Sequence, residues 1–157
     1  MKLGKKIAWA LLIVFVAMQF YRPEKNETAG GHLSKFLEET NPPQEVAGIL
    51  KSSCYDCHTN QTNYPWYNQV APVSWWLADH IGEGKEHLNF SAWESYSPKK
   101  KDHKLEELIE EVEEGEMPLK EYTWTHSEAD LTDQQREAIM DWARQTRTLY
   151  KLGDSPK

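Results

Sequence analysis

Cys54-Tyr55-Asp56-Cys57-His58 is the stretch on which the reading of this 157-residue chain turns, and it contains both of the cysteines. Two thiols three positions apart on one helical turn can reach the two vinyl groups of a single porphyrin. The next residue then brings an imidazole beneath the iron. A dithiol redox pair of the thioredoxin type would call for a surrounding βαβ pattern, which the flanking sequence lacks. A structural zinc site would call for a second Cys or Cys/His pair at ligand spacing, and there is none. The C-x-x-C-H pattern therefore points to one covalently attached haem c. Cys54 and Cys57 would form the thioethers, and His58 would be the proximal ligand.

A sixth ligand is sought among the remaining methionines and histidines. Met117 is the leading candidate. It follows the amphipathic stretch 101–114 and its natural cap Gly115, and Pro118 stiffens the loop behind it. A thioether completes a low-spin iron and raises its potential relative to bis-His ligation. Met18 lies in the apolar N-terminal block, and Met140 lies mid-helix off the Ile139/Trp142 face. His80 and His126 are the alternative distal ligands, His80 on an apolar stripe and His126 in the loop beyond Met117. Trp66, Trp76 and Tyr122 are candidate walls of a haem pocket, where indole and phenol groups can reach propionates.

Periodicity outward from the motif predicts helices throughout. Pro43 opens one over 44–53, with Val46, Ile49 and Leu50 on one face. Pro72 starts another reaching about His87, with Val73, Trp76, Leu77, His80 and Ile81 as its face and Gly82 and Gly84 weakening it midway. Residues 89–98 read as loop. Leu105, Leu108, Ile109 and Val112 stripe the helix over 101–114. Thr132, with Gln135 as capping-box partner, begins the last helix, whose apolar face is Ala138, Ile139, Trp142 and Ala143. A short helix fits 33–39. No stretch alternates convincingly as a strand. The fold class is all-α, divided into an N-terminal anchor or signal (1–21), a linker (22–42), the haem-binding domain (43–150) and a tail (151–157).

The N-terminal block has Lys2, Lys5 and Lys6 before an apolar run from Ile7 to Tyr21. The run is short for a spanning helix, but it lacks a convincing signal cleavage site, and Trp9 and Tyr21 suit membrane interfaces. The expectation is a single-pass anchor in the cell inner membrane, with the domain exported to the periplasm. Net charge is −7. With the three Lys of the first 21 residues set aside, 15 Lys and Arg face 25 Asp and Glu, a balance of −10. That excludes nucleic acid as an expected partner and leaves room for steering of a basic redox protein. Three Asn-x-Ser/Thr matches, at Asn26, Asn60 and Asn89, carry little information by themselves.

Several ordered motifs resemble the haem-binding domain family of c-type cytochromes, of Bacteroidetes type. They are Ser53-Cys54-Tyr55-Asp56-Cys57-His58, Asn63-Tyr64-Pro65-Trp66-Tyr67, Pro72-Val73-Ser74-Trp75, the stretch from Gly84 through His87-Leu88-Asn89-Phe90-Ser91 to Trp93, and Gly115-Glu116-Met117-Pro118 with Tyr122. The region from His126 through Leu131-Thr132 to Trp142 also fits. The resemblance covers about residues 43–145. It implies a cytochrome c-like helical fold around one haem, with His58 proximal and Met117 distal. It also implies that the helices at 43–53 and 133–147 cross, Gly48 making room for an aromatic such as Trp142.

The expected function is one-electron transfer by a membrane-anchored periplasmic monohaem cytochrome, serving redox protein partners rather than acting as an enzyme. The alternative is a haem-based gas or redox sensor with an open or weakly held sixth position. It is motivated by the long aromatic segment 59–100, which a small class I cytochrome c does not have. A peroxidase-like activity is weaker still, because no second haem or distal acid/base pair can be read.

Overall fold

The computed structural model describes residues 3–28, 30 and 32–153. Among them every regular element is helical. The α-helices are α1 (Leu3–Met18), α2 (Ser34–Thr40), α3 (Gln44–Ser53), α4 (Tyr55–His58), α5 (Val73–His87), α6 (Pro98–Glu114), α7 (Lys120–Thr123) and α8 (Asp133–Gly153). Short 3₁₀ turns at Trp66–Gln69, Phe90–Ser95 and Ser127–Ala129 lie between them. The expected helix over 44–53 is observed with those bounds, and α2 lies one residue beyond the expected 33–39.

Local chemistry sets the ends. Ser97 accepts from the Lys100 N–H ahead of Pro98, and Gly115 closes α6 at φ 76°, the left-handed conformation that glycine adopts without a Cβ penalty. At the start of α8 the reciprocal capping box forms. The Gln135 N–H donates to Thr132 Oγ1 at 3.3 Å, and the Thr132 N–H donates to Gln135 Oε1 at 2.9 Å.

The longest helices, α6 and α8, pack along each other and make the floor of the core. Leu105, Leu108, Ile109 and Val112 of α6 are buried, with Ile139, Trp142, Ala143 and Tyr150 of α8. Arg147 ties the pair together by donating from Nε to Asp102 Oδ1 at 2.7 Å and pairing with Glu106 at 2.8 Å. That guanidinium holds the Asp102 carboxyl below the usual carboxylate range. α3 packs across α8, as the resemblance implied. Gly48 is not what allows it: a Cβ there would meet nothing within 4 Å. Trp142 turns toward α2 instead, its indole N–H donating to the Thr40 carbonyl at 3.3 Å.

Of the stretch 22–42, expected as a linker, α2 packs into the domain. Phe36 is completely buried, with ring centroids 4.6 Å from Phe90, 5.3 Å from Trp93 and 6.1 Å from Trp142. Asn41, at φ 37°, closes α2 in the left-handed conformation that Asn tolerates better than most residues. The stretch 89–98, expected as loop, supplies two fully buried core aromatics, Phe90 and Trp93, from its 3₁₀ turns.

The N-terminal expectation of a spanning helix gains no support from helix length. α1 has 16 residues, about 24 Å at the α-helical rise. No helix among the described residues is long and apolar enough to cross a membrane. At the other end α8 runs on through Gly153, so the helix takes in the first residues of the expected tail. Met1, Lys2 and residues 154–157 lie outside the described residues.

Phe36→Ala should cost about 3–5 kcal/mol, the loss expected for a large aromatic removed from a packed core. The midpoint of urea unfolding checks it. An unchanged midpoint would mean that this segment does not belong to the folded unit.

Candidate functional site

α4 is a single turn that carries the C-x-x-C-H motif with Cys54 as its N-cap, and its neighbours hold it residue by residue. Behind Cys57 stands α5. A Cβ on Gly84 would lie 3.1 Å from both the Cys57 Cβ and its carbonyl oxygen, tighter than a side chain ordinarily packs, so glycine lets the two helices approach closely. At Asp56 the carboxylate accepts from the Asn63 N–H at 3.0 Å and from the Tyr122 hydroxyl at 2.9 Å. Burial first, and the Asp56 charge second, push the Tyr122 phenol well above its ordinary pKa, so it remains a donor. After the motif, Asn26 Nδ2 donates to the Thr59 carbonyl at 2.8 Å and to Thr62 Oγ1 at 3.0 Å. Lys85 in turn donates to Asn26 Oδ1 at 2.7 Å.

His58 is the most constrained of these residues. Its Nδ1 lies 2.9 Å from the Leu88 carbonyl oxygen. A carbonyl can only accept, so Nδ1 carries the hydrogen and Nε2 keeps its lone pair. Burial lowers the imidazole pKa, outweighing the Leu88 and Gly84 carbonyls that raise it, so the ring is neutral at physiological pH. A neutral imidazole with one nitrogen fixed by a carbonyl is the form a metal ligand takes.

The cysteines are free of one another and partly buried. Burial, together with the neighbouring Cys57, pushes the Cys54 thiol up to about 12. Burial and the Asp56 charge push Cys57 up to about 11. Thiols held protonated are poorly suited to dithiol exchange, which works through thiolates. Between them, the buried Tyr55 hydroxyl has no hydrogen-bond partner among the described residues. Two thiols on one turn, a neutral histidine with Nε2 unprotonated and an unpaired buried hydroxyl together fit a haem.

The other expected site residues fall into two groups. Met117 stands at the end of α6, where its N–H donates to the Glu111 carbonyl at 3.0 Å. Its half-buried side chain packs on the apolar cluster that also takes Cys54 and Tyr55. Met140, read as lying off the apolar face of α8, packs on the same cluster. Tyr122 is half-buried at Asp56. His126 stacks on the Tyr122 ring at 4.1 Å, close to the α4 side of the molecule, and these two line a cavity of about 380 Å³ together with Asp56 and Ser52.

The expected face of α5 is rotated. Its buried side runs through Ser74, Ile81 and Gly84 to Leu88, while Val73 and Trp76 are largely exposed. Contact with Cys57 selects the glycine side of the helix. His80 consequently sits on Trp76, 4.3 Å between ring centroids, with its Nδ1 3.1 Å from the Trp76 carbonyl oxygen. Trp66 is 80% exposed. Neither Trp66 nor Trp76 is part of the core.

Sequence reasoning gave no role to Asn26, Asn63 or the Leu88 carbonyl, which hold α4. The three asparagines dismissed as weak motif matches are all engaged. Asn26 grips the chain after the motif, and Asn89 Nδ2 donates to Asn60 Oδ1 at 3.0 Å. Asn89 also accepts from the Ser91 N–H, and Ser91 Oγ receives the Asn60 N–H at 2.9 Å and contacts His32 Nδ1 at 2.8 Å. The ordered run from Gly84 through Leu88-Asn89 to Ser91 was the available signal.

An all-helical domain built around an anchored C-x-x-C-H turn with a neutral, one-sided histidine defines a haem-binding protein. The family model described as "Haem-binding domain" matches residues 13–145, and the chain belongs to that family. Haem is accordingly its cofactor. No characterised protein and no solved structure gives a significant match to the chain.

Two outcomes test the site. Gly84→Ala should lower stability by about 1–3 kcal/mol, the usual range for overpacking, and reduce the yield of haem-loaded protein; retention of both would remove Gly84 from the site. In folded haem-free chain at pH 8, thiolate should be on the order of 10⁻³ of Cys57, against roughly a quarter of an unperturbed cysteine. Iodoacetamide should therefore label the native thiols slowly, with the rate rising about tenfold per pH unit until the pH approaches the raised pKa. Native labelling as fast as in urea would refute the buried-thiol assignment.

Proposed function

We propose that this protein is a monohaem c-type cytochrome that carries single electrons outside the cytoplasm while held at the inner membrane. Cys54 and Cys57 would bind the haem covalently, each thiol adding across a vinyl group. His58 Nε2 would take the proximal position and Met117 the distal one. When bound, the haem supplies an iron that accepts and returns one electron. The observation that carries the reading is the Leu88 carbonyl on His58 Nδ1, because it leaves Nε2 available in the one sequence context made for a porphyrin.

The chain's own residues do the rest. Leu88 fixes the tautomer and orientation of the imidazole and raises its basicity as a ligand. Gly84 and Asn26 hold α4 still, which keeps ligand reorganisation small when the iron changes charge. Met117 supports a raised potential, since a thioether stabilises the reduced iron relative to a second imidazole. His126 and Tyr122 offer donors beside the motif for propionates. The acidic balance of −10 over residues 22–157 favours a basic redox partner.

Membrane attachment rests on α1. Apolar residues Ile7, Trp9, Leu11 and Ile13 are more than half exposed, with Lys5 and Lys6 toward the outer end. A helix of about 24 Å is shorter than the hydrocarbon core of about 30 Å. Thinning of the bilayer around it and snorkelling of the two lysines can make up the difference.

The test is maturation in a host competent for c-type assembly. Wild-type chain should retain haem through a denaturing gel, and the double substitution Cys54→Ser, Cys57→Ser should lose it. Met117→Ala should remove the long-wavelength sulfur-to-iron absorption of the ferric form. It should also lower the potential by roughly 0.1–0.3 V, within the span of about 0.8 V that axial ligands control. Absent haem stain in properly matured wild type sinks the covalent attachment. Rapid CO binding by reduced wild type would favour the sensor with an open sixth position.

A further inference from the structure

The segment that receives the foot of α1 carries two exposed indoles, Trp66 and Trp76. Gln19, the first residue past α1, pairs its side-chain amide with the backbone of Ala71. Its Nε2 donates to the Ala71 carbonyl at 3.1 Å, and its Oε1 accepts the Ala71 N–H at 2.9 Å. Trp75 Nε1 donates to the Tyr21 carbonyl at 3.1 Å, and the Tyr21 and Trp75 rings meet edge-on at 5.7 Å. Arg22 donates to the Gln69 carbonyl. Between the last residue of α1 and the body of the domain there is thus no slack chain.

The two indoles lie on the elements that hold this root. Trp66 opens the 3₁₀ turn that ends at Gln69. Residues three apart on such a turn eclipse each other, so Trp66 stands in line with the position that Arg22 grips. Trp76 follows Trp75 on α5 and shares a helix face with Val73, three positions before it. Trp66 is 80% exposed, Trp76 45% and, at the root itself, Phe20 86% and Tyr21 67%. Such a concentration of aromatic surface in water is unfavourable, and amphipathic rings are the side chains enriched at the level of lipid headgroups.

From the rooted short helix and the aromatics around it we propose that Trp66 and Trp76, with Phe20 and Tyr21, form a docking surface for the bilayer interface, fixing the haem domain in one orientation on the membrane. This rests on the membrane attachment proposed for α1. A helix shorter than the hydrocarbon core, joined to the domain without slack, draws the domain down until its rim touches lipid. The rim that arrives first is the one around the root, and it carries indoles and a phenol. The domain does not swing on a tether, because Gln19, Tyr21 and Arg22 already hold the end of α1 to it.

The experiment uses full-length, haem-loaded chain in vesicles of phosphatidylethanolamine and phosphatidylglycerol, with the iron reduced to its diamagnetic low-spin state. The native cysteines are consumed by haem, so a single introduced thiol can carry a nitroxide. Trp66→Cys and Trp76→Cys place it at the indoles. Gln69→Cys and Val73→Cys place it beside them with both indoles intact, and Lys35→Cys on exposed α2 is the aqueous reference. Labels at 66, 69, 73 and 76 should collide several-fold more with oxygen than with a water-soluble nickel chelate, and the label at 35 should do the reverse. Vesicle flotation is read on the same samples. Failure to float overturns the membrane attachment and this surface with it. Flotation with labels at 69 and 73 as water-accessible as at 35 overturns the docking surface alone. Labels shielded from both reagents also overturn it, placing these residues against protein or haem instead.

Discussion

The hydrogen bond from His58 Nδ1 to the Leu88 carbonyl is the constraint around which the site is arranged. It spans 30 residues, and it works only if the end of α5 is brought to the C-x-x-C-H turn. Gly84 permits that approach, since any larger residue would press on Cys57. Asp56 and Thr59 are held independently, by Tyr122 and by Asn26. The turn that presents two thiols and an imidazole is thus positioned by side chains and a carbonyl from three separate parts of the chain. For a metal ligand such outer contacts matter about as much as the ligand itself.

The core explains how a chain of this size can afford so much polar clamping around one turn. α6 and α8 form a two-helix floor, and Phe36, Phe90, Trp93 and Trp142 make a continuous aromatic layer above it. Phe36 comes from before the motif, Phe90 and Trp93 from between the two halves of the domain, and Trp142 from near the end. Closure of this layer brings α2 into the fold. The same Phe90 ring meets Tyr55 at 5.7 Å and His58 at 6.4 Å, so the apolar core runs directly up to the C-x-x-C-H turn.

On the opposite side of the balance are groups left facing water. α1 has no buried residue, and Trp66 and Trp76, on the elements that receive its foot, are exposed. The hydrogen bonds of Gln19, Trp75 and Arg22 make α1 and the start of α5 one mechanical unit. The site and the root are therefore joined through a single helix: α5 begins at the foot of α1 and ends at the carbonyl that orients His58.

What could be read from the chain itself was whatever depends on short-range spacing. The C-x-x-C-H pattern gives haem chemistry because three residues on one turn must reach one porphyrin. The Thr132/Gln135 box and Gly115 mark helix ends because capping is a contest among neighbouring backbone groups. The α6 stripe shows its buried face because few competing partners could cover it. Tertiary structure alone decided which side of α5 is buried, since the pressure of Cys57 on Gly84 overrides the stronger apolar stripe at Val73, Trp76 and Leu77. It also decided that Phe36, in the stretch expected as a linker, belongs to the core, because one Phe in a polar stretch has no periodicity to reveal it. The roles of Asn26, Asn60, Asn89 and the Leu88 carbonyl came from the same source: a hydrogen bond between residues tens of positions apart leaves no local pattern, and a backbone carbonyl has no letter of its own.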